Sequence, residues 1–207
     1  MDEFLVFGSG VYWLMLGILV TARGMDVLST WVATPNLVLE GNPVAKLLGW
    51  RWGLPVNFGM CLLLAFWPLP AIVLGTTSVL VAARNFQSAW LMRSMGEDAY
   101  REWHVARIQE TRITLYLLCL AGNTLLTAAI GGIVIWFNNG SVVLLGIGAG
   151  IAAYGGAVAF YTMLALWRMR RAGLRTFERP AAIRFGERSA TKGELGGLCL
   201  PEELQGK

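Results

Sequence analysis

The chain has 207 residues, 56% of them hydrophobic and only 14% charged, against roughly a quarter charged in an ordinary soluble domain. With a mean hydropathy of +0.56, this argues against a soluble enzyme or binding module and for a polytopic membrane protein. The net charge of +4 is concentrated from Arg168 onward, which reads as membrane topology and not as a nucleic-acid surface.

In chain order, Met1-Asp2-Glu3 is acidic where the start of a signal peptide would be basic, so no cleavable signal is expected. A helical crossing takes about 20 mostly apolar residues. The first candidate, residues 4–33, is longer, carries Arg23 and Asp26 in its second half and stops before Pro35. After a loop, Asn42-Pro43 reads as an N-cap and first helical position, opening a short re-entrant or interfacial helix to about Leu48. Gly49 and Gly53-Leu54-Pro55 are expected to break it. Two further spans follow, 54–70 and 73–93, with Pro68, Pro70 and Gly75 competing for the turn between them.

Residues 94–112 form the one strongly charged internal loop. Tyr100, Trp103, Arg107 and Ile108 recur there at helical spacing, as in an amphipathic helix lying on a membrane. A fourth span covers 113–137, Asn138-Asn139-Gly140 is a turn by composition, and a fifth span covers 141–167. The basic tail, 168–207, lacks apolar periodicity and reads as flexible in isolation. The expected fold is therefore an all-α integral membrane protein, a bundle of about five transmembrane helices.

Five spans place Lys46, Arg51, Arg93, Arg101, Arg107, Arg112 and the tail arginines on one side. The other side has Asp2, Glu3 and two turns without Lys or Arg. The positive-inside rule then predicts an inner-membrane protein with its N-terminus outside and its C-terminus cytoplasmic. Span count and charge bias are independent signals, and they agree.

The last two spans are rich in glycine. Gly146 and Gly150 form a GxxxG pair, and Gly148, Ala152, Gly155 and Ala159 place small residues on one face. Packing within the chain is one use for these faces. Contact of Gly146, Gly150 and Gly155 with a second copy or another membrane protein is the other. The expected partners are the lipid bilayer and such proteins, with no nucleic acid.

Polar residues inside an apolar chain are the remaining signal. Arg23, Asp26, Thr30, Glu40, Asn42, Asn57, Arg84 and Asn85 all fall near the basic end of the first three spans, so they form a candidate polar cluster. Charges at such depth face the bundle interior and pair, here Arg23 or Arg84 with Asp26 or Glu40. Three readings are open: a knot that fixes helix packing, a proton or cation path or catalytic acid pair, and arginines that snorkel to the interface. No metal or cofactor is expected. The ligands would all be oxygen, and no HExxH, DxxD or EF-hand spacing occurs. The three cysteines, Cys61, Cys119 and Cys199, are widely spaced and offer no CxxC or disulfide framework. Ser29 has no GxSxG context, and His104 beside Trp103 reads as an interfacial histidine. Gly146-x-Gly148-x-Gly150 lies within an apolar span and is no phosphate cradle.

The pattern Asp26-x-x-x-Thr30 followed by Glu40-x-Asn42-Pro43 resembles the signature of a family of small bacterial and archaeal polytopic membrane proteins, a domain of unknown function. The likeness covers roughly residues 10–90. It implies an Asp-and-Thr first span, a Glu-Ala-Asn-Pro loop and a short helix before further spans, and it implies no activity. Gly41 replaces the family's Ala. Asn57 stands about where the family often has a Lys, so an acid neutralised by that Lys would here need Arg23 or Arg84.

The functional expectation is a non-enzymatic subunit or accessory factor of a membrane assembly, its polar cluster an architectural clasp. The alternatives are a small transporter or proton or cation conductor using Asp26 and Glu40, and an intramembrane enzyme using the same acids.

Overall fold

A computed structural model describes residues 4–177. The described residues form six helices and no strand: α1 (Gly10–Ala33), α2 (Pro43–Leu64), α3 (Pro68–Met95), α4 (Glu97–Glu110), α5 (Ile113–Trp136) and α6 (Val142–Phe177). Five of them, α1, α2, α3, α5 and α6 as far as Met169, are long and apolar enough to cross a membrane. At about 1.5 Å per residue, α1, α3, α5 and the apolar part of α6 exceed the roughly 30 Å of a hydrocarbon core. The chain is a multi-pass membrane protein by this measure. Large apolar side chains such as Trp13, Leu14, Phe58, Leu125 and Leu126 point outward, as a lipid-facing surface requires. The acidic start at Asp2 and Glu3, Cys199 and the tail beyond Phe177 lie outside the described residues.

The chain divides into two units, Met1–Ala165 and Leu166–Lys207. In the second, the described part is the end of α6. That helix runs to Phe177, past the boundary at Arg168 that loss of apolar periodicity predicts. A charged stretch can continue a helix that an apolar span has already nucleated.

Within the first unit, α1 and α3 make the main interface, and both present small or apolar residues at three- and four-residue spacing. On α1 the buried residues are Tyr12, Leu16, Leu19, Ala22, Ser29 and Ala33. On α3 they are Ala71, Gly75, Ser78, Ala82 and Ala89. This small-residue seam lets two backbones approach where lipid supplies no hydrophobic drive. A β-carbon at Gly75 would already touch Ile18 and Ala22, at 3.7 and 4.0 Å. At the end of the bundle where α1 begins, an aromatic plug closes the seam. Phe4 stacks on Phe66 with ring centroids 4.9 Å apart, and the Leu5 N–H donates to the Phe66 carbonyl at 2.9 Å.

Three boundaries differ from the sequence reading. Residues 4–9 precede α1, which starts behind Ser9, whose hydroxyl accepts from the Tyr12 N–H at 3.2 Å. Asn42 and Pro43 open α2 as expected, with Asn42 Oδ1 accepting from the Val44 N–H at 2.9 Å. Gly49, at φ 58° and ψ −167°, breaks the helical path as expected and sets off the short helix over 43–48, in a conformation open chiefly to glycine. Gly53-Leu54-Pro55, however, continues the helix to Leu64. The next turn is Ala65–Trp67, ahead of both prolines, and Pro68 starts α3. Proline at the first helical position loses no hydrogen bond and is pre-set in φ. The spans expected at 54–70 and 73–93 are therefore Pro43–Leu64 and Pro68–Met95.

Five glycines of α5 and α6 pack inside the chain. A β-carbon at Gly146 would lie 2.7 Å from Ile72 Cγ2, and one at Gly150 would lie 2.9 Å from the Val73 carbonyl, so both glycines seat α6 on α3. Gly131 and Gly148 face each other across α5 and α6, each with the other's carbonyl under 3 Å from where a β-carbon would sit. Gly155 meets Thr127 of α5. Gly146 and Gly150 thus face α3, and Gly155 faces α5, of the same chain.

Candidate functional site

The polar residues gather where α1, α2 and α3 meet, in the half of the bundle toward the α1–α2 loop. Arg23 is their centre. One guanidinium nitrogen, Nη1, donates to Asp26 Oδ2 at 2.8 Å and to Ser78 Oγ at 3.2 Å. The other, Nη2, donates to Asn57 Oδ1. Helix geometry explains the first contact: residues three apart share a face. Asn57 is itself fixed, because its amide nitrogen donates to the Gly53 carbonyl one turn earlier at 2.7 Å. One guanidinium thus ties α1 to both α2 and α3. Arg23 and Asp26 side chains are 20% and 16% exposed, so the pair lies in a largely desolvated setting where an unpaired charge would be costly. Arg23 Nε is buried without a partner.

A second tie lies one to two turns nearer the loop. Asn85 Nδ2 of α3 donates to Ser29 Oγ and Thr30 Oγ1 of α1, each at 3.2 Å. The Ser29 hydroxyl donates in turn to the Asp26 carbonyl at 2.8 Å. The two knots therefore share the Asp26 turn.

The loop after α1 is folded over the bundle end by its own contacts. Glu40 Oε1 accepts the Asn42 N–H at 2.7 Å, which explains the Glu-x-Asn spacing as a local turn ahead of the Asn42 cap. Behind the Gly49 kink, the Trp50 indole donates to the Pro35 carbonyl at 2.7 Å. Lys46 Nζ reaches the Val38 carbonyl at 3.0 Å.

Glu97, which the sequence reading did not single out, holds this loop from the other side. Gly96, at φ 81°, turns the chain between α3 and α4 and sets Glu97 beneath residues 34–38. Its carboxylate accepts from the Asn36 N–H at 3.0 Å, the Val38 N–H at 3.2 Å, the Thr34 hydroxyl at 2.9 Å and Asn36 Nδ2 at 3.3 Å. Between the two backbone donors Leu37 adopts φ 56° and gives its own N–H to the Thr34 carbonyl at 3.0 Å, so that the amides on either side of it converge on the anion. Burial opposes the charge on Glu97, but the hydrogen bonds from Asn36, Thr34 and Val38 outweigh it and lower its pKa below the ordinary 4.5.

Seven of the eight cluster residues are accounted for at this junction: Arg23, Asp26, Thr30, Asn57 and Asn85 in the knots, Glu40 and Asn42 in the loop. Arg84 is not among them. It points to the opposite side of α3, into a cleft with Gln87, Asn123 and Tyr154. Of the two arginines considered for neutralising Asp26, Arg23 does so. Ser29, Ser78, Thr34 and Glu97 complete the site without having been foreseen. Ser78 could have been found as the one polar member of the small-residue ladder on α3. Among the described residues no group of three or more His, Cys, Asp or Glu is placed to share a metal ion. His104 is exposed and stacks on Tyr100 with centroids 5.8 Å apart.

A search of family models, curated proteins and solved structures gives no match to this chain. The likeness of Asp26, Thr30, Glu40, Asn42 and Pro43 to a family signature rests on those residues alone.

Proposed function

We propose that this is a non-enzymatic subunit or accessory factor of a membrane assembly, and that its polar cluster is an architectural clasp. The observation that carries this reading is the engagement of Arg23: its donors go to Asp26, Asn57 and Ser78, on three different helices. A side chain whose two terminal nitrogens both go to packing partners is committed to holding helices, and buried polar ties of this kind fix one arrangement among several similar ones. The basic residues Lys46, Arg93, Arg101, Arg107 and Arg112 flank the end that carries the clasp. The positive-inside rule supports an inner-membrane location with that end cytoplasmic.

A second reading, uptake of a proton or cation by Asp26 and Glu40, is favoured by one observation: both carboxylates stand at the junction of α1 with the loop that leads into α2. Against it, Arg23 already supplies the positive charge beside Asp26.

Extraction of the full chain from its host in a gentle detergent tests the assembly reading. A membrane protein that co-purifies in fixed ratio, and is lost from the Asp26→Asn variant, is the expected result. A monodisperse protein that carries no partner and conducts ions in liposomes contradicts it.

A further inference from the structure

The cleft that takes Arg84 is chemically unlike the clasp. It is a laterally open cavity of about 390 Å³ lined by Leu80, Ala83, Arg84 and Gln87 of α3, Asn123 of α5 and Tyr154 of α6. Arg84, Gln87 and Asn123 are exposed and Tyr154 is half-buried. Neither ion pair among the described residues includes Arg84. No carboxylate lines the cleft. A guanidinium in a membrane span that faces neither water nor an acid is costly, by a few kcal/mol or more on insertion scales. The lining is rich in donors: the guanidinium, two carboxamides and a phenol.

Depth adds to this. Arg84 adjoins Asn85, whose amide bonds Thr30 Oγ1 at 3.2 Å, one turn inside the end of α1 at Ala33. The charge therefore lies a short way below the end of the bundle that carries Arg93 and Arg112, within reach of lipid headgroups by snorkelling. Asn123 lies about three turns inside the start of α5, and Leu80 and Ala83 give an apolar wall.

We infer that this cleft binds the headgroup of an anionic phospholipid. The phosphate pairs with Arg84 and Gln87. The ester carbonyls, which accept but cannot donate, meet Asn123 and Tyr154, and the acyl chains leave sideways along Leu80 and Ala83. Guanidinium and phosphate match in charge and in fork geometry. Basic pockets between transmembrane helices bind acidic headgroups in this manner. Selectivity follows from what is missing: the quaternary ammonium of a zwitterionic lipid finds no carboxylate in the cleft. The inference does not depend on the clasp, since none of these residues belongs to it.

The test is native mass spectrometry of the full chain released from nanodiscs that hold equal amounts of phosphatidylglycerol and phosphatidylcholine. Retained phosphatidylglycerol is expected, with roughly a tenfold loss in Arg84→Gln, the scale of one lost charge-assisted contact. Binding should persist in Arg84→Lys and in Arg93→Gln, and should weaken in Asn123→Leu. Arg84 makes no packing tie, so its variants are expected to fold, and Asn123→Leu gives an independent arm. Equal retention of the two lipids overturns the inference, as does an adduct indifferent to Arg84. So does displacement of the lipid by millimolar inorganic phosphate, or the finding that a partner helix fills the cleft in place of lipid.

Discussion

The Thr34 hydroxyl and the Glu97 carboxylate meet at 2.9 Å across 63 residues of sequence, joining the last residue of one span's cap to the first residue of α4. With the Asn36 and Val38 amides on the same carboxylate, this contact makes the α1–α2 loop part of the bundle. Glu97→Ala should free the loop and cost about 1–3 kcal/mol, the range for removing the acceptor of several hydrogen bonds. Faster amide hydrogen exchange confined to residues 34–39, with the spans unchanged, is the expected readout.

The same contact predicts a pH dependence. The folded pKa of Glu97 lies below its ordinary value of 4.5 because four donors favour the charged form over the burial that opposes it. The stabilisation is therefore present above the unfolded pKa and is lost as pH falls through the folded one. The difference in melting temperature between the wild-type chain and Glu97→Gln should be largest near neutrality and shrink below about pH 4.5. A difference that grows on acidification would contradict the assignment.

The glycines of the α5–α6 contact should divide sharply. A β-carbon at Gly131 would sit 2.6 Å from the Gly148 carbonyl and 2.9 Å from the Ala152 nitrogen, both backbone atoms, whereas one at Gly132 meets nothing within 4 Å. Gly131→Ala should cost about 1–3 kcal/mol by overpacking. Gly132→Ala should be neutral or slightly stabilising, because alanine restricts the unfolded chain. Thermal unfolding in one detergent compares the two directly.

The two arginines of the middle spans should also separate. Arg23→Gln leaves Asp26 without its cation in a largely buried site and should cost about 3–5 kcal/mol. Arg84→Gln removes a side chain without a bonded partner and should change stability by no more than about 0.5 kcal/mol in lipid-free detergent. Similar losses for both would mean that Arg84 belongs to the packing after all.

Much of this was legible in the chain itself. The five apolar segments and the Asn42-Pro43 helix start follow from composition, periodicity and capping chemistry. That Arg23, Asp26, Asn57 and Asn85 share a level follows from counting residues inward from the span ends. Which side of a helix each residue faces was harder to read. Arg84 and Asn85 are neighbours in sequence and so point about 100° apart on α3, one away from α1 and one toward it. Asn85 joins the clasp for that reason and Arg84 does not. The α2–α3 turn was obscured because proline both breaks helices and begins them. Glu97 was hidden by its setting: in a loop full of charge, nothing local distinguishes the carboxylate that reaches back 63 residues from those that face solvent.

The most direct test of the clasp is Asp26→Asn, measured for thermal unfolding and for proton and cation flux in liposomes on the same preparation. The clasp predicts a melting temperature lower by several degrees, with no flux in either the wild-type chain or the variant. An unchanged melting temperature, with wild-type flux that disappears in the variant, would contradict it and make Asp26 a transport residue.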